Sequence, residues 1–165
     1  RENLRFRYEK HEEKNHSLEA RRKRPYASLR TTNFFHHRSV LERVPYDERV
    51  KTYGYEDVLL GKALQEAGVG VLHIDNPVAY TSFEDNARYL GKLDEALSTL
   101  HAFAPELQGY SPLLALCSWL RRAGLLPVVR LFYKLFTRVL RRNLLSCRPS
   151  LFILKLYKVS RLSCF

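Results

Sequence analysis

Two adjacent carboxylates, Glu56 and Asp57, follow Tyr53-Gly54-Tyr55 and head a stretch of helical apolar spacing. A carboxylate at a helix start meets free backbone N–H groups and the positive end of the dipole, which keeps it ionised and able to take a proton from a hydroxyl. The same position also suits an acidic residue that does nothing but satisfy those N–H groups. Both readings stand on the pair alone. Glycosidase chemistry needs two carboxyls flanking the scissile bond several ångströms apart, and neighbours in sequence divide that labour poorly. His36 and His37 would face opposite sides of a strand and so cannot easily share a metal. His73 lies in an apolar run and reads as a hydrogen-bonded core histidine. Cys117, Cys147 and Cys164 are widely spaced and form no zinc pattern, which points to reduced thiols in a cytosol-facing protein.

The elements that must position these groups are partly visible. Residues 1–24 are charged and fit a solvated helix or an ordered loop, ended by Pro25. Residues 29–35, with Thr31, Thr32, Phe34 and Phe35, have a strand composition. Ser39 suits the N-cap of a short helical turn that Pro45 ends. Val58, Leu59, Ala63 and Leu64 predict a helix after Gly54 that Gly68 stops, and residues 69–74 form a β-branched run closed by Asn76-Pro77. Ala87, Leu90, Leu93, Ala96, Leu97 and Leu100 predict a second long helix from about Glu84 to His101. Strand, helix, strand, helix is the order of an α/β architecture.

The 165 residues are enough for about one domain, and 45% hydrophobic with 27% charged residues excludes collagen-like and wholly disordered chains. No apolar run approaches the roughly 18 residues of a membrane span. The chain begins at Arg1 and contains no Met, as expected of an internal piece of a longer polypeptide. Its net charge of +11 is unevenly placed: residues 1–106 carry 17 basic and 17 acidic residues, whereas 107–165 carry 11 basic residues and no acidic one. Such a tail calls for an anionic partner. Pro105, Gly109, Ser111 and Pro112 mark the boundary, giving a first part at 1–106 and a tail at 107–165. On a helix, Arg130, Lys134, Arg138 and Arg141 fall at about 0°, 40°, 80° and 20°, and Phe132, Tyr133 and Phe136 at about 200°, 300° and 240°. Arg130, Lys134 and Arg138 opposite Phe132 and Phe136 suit a helix lying in an anionic membrane interface. Packing of the aromatic face against another part of the protein is the competing reading. A single-strand nucleic-acid platform would place bases between aromatic and basic groups on one surface, so this pattern disfavours nucleic acid.

The series Thr32-Asn33-Phe34, Arg38, Asp47-Glu48, Tyr53-Gly54-Tyr55-Glu56-Asp57, Leu60-Gly61, Leu64, Gly68 and His73-Ile74-Asp75-Asn76-Pro77 resembles the acceptor-side half of family 2 glycosyltransferases. The resemblance runs from about residue 3 to 100 and is densest between Pro25 and Asn76. It implies an α/β, partial GT-A (Rossmann-like) fold followed by a mainly helical basic tail. It also implies inverting transfer of a sugar from a nucleotide-sugar donor to a hydroxyl of a glycan or lipid-linked acceptor, in cell-surface glycan synthesis. Asp57 would be the base and Glu56 would help position the acceptor. Asn33, Arg38, Gly54 and Tyr55 would lie at the donor or acceptor site.

A divalent metal, Mg or Mn, is implied for the complete enzyme, where it would offset charge on the departing diphosphate. The family's nucleotide-binding half with its Asp-x-Asp motif is absent from these 165 residues, and Tyr80 stands where related sequences have a His that can help bind the metal. The expected setting is cytoplasmic, peripheral to the cytoplasmic face of a membrane. The alternative function is a noncatalytic membrane-binding module derived from the same fold.

Overall fold

A computed structural model of the protein describes residues 3–165. The described residues form helices α1 (Leu4–Glu12), α2 (Leu18–Lys23), α3 (Arg38–Arg43), α4 (Glu56–Glu66), α5 (Asn86–Ala102), α6 (Ala104–Leu107), α7 (Pro112–Arg122), α8 (Leu126–Leu144) and α9 (Leu151–Leu162), with 3₁₀ turns at Glu13–His16 and Thr31–Asn33. Local sequence explains several boundaries. Asp85 caps α5 by accepting from the Arg88 N–H at 2.8 Å, and Ser17, Ser111 and Ser150 cap α2, α7 and α9 in the same way. The helix starting at Arg38 is capped by His37, whose Nδ1 accepts from the Ser39 N–H at 3.3 Å, so Ser39 lies inside the helix rather than at its cap.

Three apolar clusters hold the molecule together. One joins Leu59 of α4 and Leu97 and Leu100 of α5 to Leu107, Leu114 and Leu162. A second joins Leu4 of α1 and Leu90 of α5 to Leu140, Leu144, Leu154 and Tyr157. The third is smaller and packs Leu29 and Val44 on Leu60 and Leu64 of α4. The first two combine residues from both sides of position 106, so the boundary in charge is not a boundary in packing. α8 and α9 form an antiparallel pair: Arg130, early in α8, donates to the Ser163 carbonyl just past α9, and Asn143, late in α8, accepts from the Ser150 N–H just before α9. Asp94 of α5 clasps this pair, accepting from the Tyr157 hydroxyl at 2.7 Å and from Arg141 at 3.1 Å.

The expected α/β fold with a Rossmann-like sheet is not what the chain adopts: 63% of it is helical and no strand occurs among the described residues. The two stretches read as strands show why. Arg30 and Phe34 have extended backbones, but a 3₁₀ turn lies between them. Residues 69–74 alternate as a half-buried strand would: Val69, Val71 and His73 turn inward, and Gly70, Leu72 and Ile74 outward. Their composition delivers the extended conformation, but a ladder also needs a neighbouring backbone in register. The residues beside them supply side chains instead. The β-branched run is therefore not the buried strand expected of it, since Leu72 is 80% exposed.

One partly buried cation bears on stability. Lys158 of α9 lies over the Tyr8 ring at 4.1 Å, and burial pulls its amine down from 10.5 to about 8. The unfolded chain therefore binds more protons between pH 8 and 10.5, and stability rises with pH across that window. Lys158→Met should raise stability at pH 7 by about 2–3 kcal/mol, after allowing for the lost contact with Tyr8. Melting curves should show a gain of about 4–12 °C at pH 7 that shrinks from about pH 8 upward and is gone above about pH 10.5.

Candidate functional site

The carboxylate pair is presented by a sharp corner. Gly54 has φ 99°, Tyr55 has φ 67° and ψ 2°, and α4 begins at Glu56. A left-handed backbone is strained for a bulky residue such as Tyr55, and it persists here because its surroundings fix it. Thr99 of α5 is almost fully buried. Its Oγ1 lies 3.1 Å from the Tyr53 carbonyl and 3.2 Å from that of Glu95, so it donates to one at a time, and it is 2.8 Å from the Thr52 hydroxyl. Tyr55 packs on the first apolar cluster, and burial pushes its phenol up to about 12. Gly54 fits against Ala96, and a Cβ added to it would lie 2.7 Å from the Ala96 Cβ. A Cβ at Gly61 would overlap the Tyr26 carbonyl oxygen, which gives the glycine of Leu60-Gly61 a packing reason.

Asp57 is partly buried. Its Oδ1 accepts from the Val58 N–H at 2.8 Å, yet its carboxyl is raised from its ordinary value, first by burial and then by the Glu56 charge. These effects outweigh the backbone hydrogen bonds and the Arg30 guanidinium, which act in the opposite direction. Oε2 of Glu56 is buried and has no hydrogen-bond partner. Because Asp57 is raised when folded, it opposes folding above its unfolded value and ceases to do so in acid. Asp57→Asn should therefore raise the melting temperature at pH 7, with the gain vanishing below about pH 4, where the unfolded carboxyl is protonated as well.

A cavity of about 900 Å³ lies nearby, walled by α1 and the 3₁₀ turn after it, by residues 28–37 and by residues 69–80. Arg21, Arg30, Asn33 and His73 give it polar groups, and Phe6, Phe34 and Val71 give it apolar ones. Asn33 donates to the Asn76 carbonyl at 2.7 Å and so ties together two of the motif segments. His73 is buried, with Nε2 2.8 Å from the Pro25 carbonyl and Nδ1 3.4 Å from an Arg21 nitrogen. A ring that donates from Nε2 and accepts at Nδ1 satisfies both contacts, which is the core role expected of it. His16 accepts from Arg30 at 2.8 Å, and burial followed by the Arg30 charge lowers its imidazole.

The structure gathers only some of the expected site residues. Asn33 lines the cavity, whereas Glu56 and Asp57 sit outside its wall and connect to it through the charge of Arg30. Arg38 is exposed, pairs with Glu42 at 2.8 Å and does not line the cavity, although its neighbour His37 does. Gly54 and Tyr55 shape the corner. Arg30 and Arg21 went unnoticed in the sequence because single arginines in a charged stretch carry no spacing signal.

The surroundings of Tyr80 do not suit a divalent metal. Tyr80 lies beside Phe83, with the Arg5 guanidinium 5.3 Å from its ring, so a fixed cation occupies the neighbourhood. Among the described residues no three His, Cys, Asp or Glu side chains converge as a ligand set. In the tail, Lys134, Arg138 and Arg130 are exposed and Phe136 is 45% exposed, but Phe132 packs in part against the second apolar cluster. No single helix among the described residues is long and apolar enough to cross a membrane. No family model, curated protein or solved structure matches the chain.

Proposed function

We propose that the chain supplies the acceptor side and the base for inverting transfer of a sugar from a nucleotide-sugar donor to a hydroxyl. The observation that carries this reading is Asp57 itself, a partly buried carboxylate at a helix start, held by a strained corner and acted on by the charge of Arg30 in the wall of a roomy cavity. Strain of this kind clusters at working sites. A base raised toward the operating pH is also the better proton acceptor.

In the proposed step the acceptor oxygen bonds to the anomeric carbon as the bond from that carbon to the diphosphate breaks. Asp57 takes the hydroxyl proton, and the diphosphate departs with the electron pair on the face opposite the attack. Glu56 would orient the hydroxyl. Arg30, whose charge acts on Asp57, would hold an acceptor oxygen between that carboxyl and the cavity, and Asn33 would hold a more distant one. The sequence holds no Asp-x-Asp motif, and donor binding would fall to residues other than those named here.

The test is release of nucleoside diphosphate from nucleotide sugars by the protein expressed from its complete reading frame, with and without sugar acceptors. Acceptor-dependent release by that protein, and none by residues 1–165 alone, is the expected result. Absence of release across nucleotide sugars from the complete protein would leave the corner a purely structural feature and the fold a noncatalytic module.

A further inference from the structure

The outer side of α8 carries an apolar row that nothing in the fold covers. Val128, Leu131, Leu135 and Val139 are 63%, 56%, 65% and 63% exposed, values far above those of ordinary core-facing positions on a 19-residue helix. With Arg130 as the origin they fall at about 160°, 100°, 140° and 180°, while the buried Leu140 and Leu144 fall at about 280° and 320°. The row thus points away from α9, and it runs along about 16 Å of the helix.

Lys134 and Arg138 flank the row at about 40° and 80°, and Arg142 closes its C-terminal end. All three are exposed. This differs from the aromatic face visible in the sequence, because Phe132 turns partly into the second cluster and the aliphatic residues take the outward position.

We infer that this face of α8 docks on an anionic lipid bilayer, with the aliphatic row among the acyl chains and Lys134, Arg138 and Arg142 at the headgroups. Charge selects that partner. Residues 107–165 contain 11 basic residues and no acidic one, so the face attracts an anionic surface and offers no carboxylate to repel it. A second copy of the chain would bring two such basic rows together, and like charges at that distance oppose pairing. Shape agrees, since the row stands on the convex outside of a helix pair, where a deformable bilayer can fit without a matching groove. The long lysine and arginine stems can lie along the apolar boundary while their charges stay in water. The inference does not depend on sugar transfer.

The experiment is flotation of the complete 165-residue chain with phosphatidylserine-containing and pure phosphatidylcholine vesicles, at low and high salt. The wild-type chain should float with the anionic vesicles at low salt and stay behind with the neutral ones. Replacing Lys134, Arg138 and Arg142 with Gln should weaken binding more than about a hundredfold. Replacing Leu131, Leu135 and Val139 with Ser should also weaken it, and that loss should persist at high salt, where screening has already reduced the charge contribution.

All six side chains are partly or largely exposed, so both variants should keep the wild-type helical circular dichroism. The inference is overturned if the wild-type chain does not float with anionic vesicles at low salt, or if the Ser variant binds as tightly as wild type. It is equally overturned if sedimentation shows a wild-type dimer that the Ser variant abolishes, which would assign the row to self-association.

Discussion

Asp57→Asn in the protein from the complete reading frame should lower sugar transfer by about 10²- to 10⁴-fold, with donor affinity little changed. The exchange keeps the size of the side chain and its ability to accept from the Val58 N–H, and it removes the proton acceptor. The loss should appear in kcat more than in KM, because the proton moves only as the new bond forms. Loss of folding cannot stand in for loss of the base here, since removing a partly buried charge beside Glu56 is expected to stabilise the chain at neutral pH. Near-normal turnover with the raised melting temperature would return Asp57 to a helix-start role. Glu56→Gln is a useful companion, because a positioning residue should affect acceptor KM before it affects the proton transfer step.

Gly54→Ala should destabilise the protein by about 2–5 kcal/mol, the sum of about 1–2 for a side chain in the left-handed region and about 1–3 for overpacking. For a chain of this size that lowers the melting temperature by about 4–20 °C. The overpacking has an identified partner, as the new Cβ would meet the Ala96 Cβ at 2.7 Å and its Cα at 3.1 Å. Adding Ala96→Gly removes the first of these contacts but leaves the backbone strain at φ 99°. The double variant should therefore recover only part of the loss, beyond the small helix-propensity cost of a glycine in α5. Full recovery would mean that the turn itself costs nothing. No loss in the single variant would mean that the corner relaxes.

Helices with clear apolar spacing were legible. The pattern after Gly54 became α4, and the pattern from Ala87 to Leu100 lies within α5. The expected cap at Ser39 lies two residues past the actual one at His37, because a histidine ring nitrogen took the position of acceptor. The stretches at 29–35 and 69–74 expose the limit of composition: β-branched residues favour an extended backbone, but no residue type encodes the presence of a neighbour to pair with. The corner at Gly54-Tyr55 was legible only as a motif. Its strain is set by Thr99 and Ala96, more than 40 positions away in sequence, and no local pattern reports such contacts. The same holds for α8, where spacing gave two faces but could not say that α9 would claim the one bearing Leu140 and Leu144.

The cluster that unites Leu4 with Leu154 and Tyr157 sets a schedule for synthesis. Its first member leaves the ribosome about 150 residues before its last, which at 5–20 residues per second is roughly 8–30 s. α1 waits uncovered for α9 throughout that interval, and the Leu90 face of α5 joins it for roughly the last 3–13 s. A nascent chain stalled anywhere in the basic tail presents the same unfinished core, and it is there that a chaperone would find this protein.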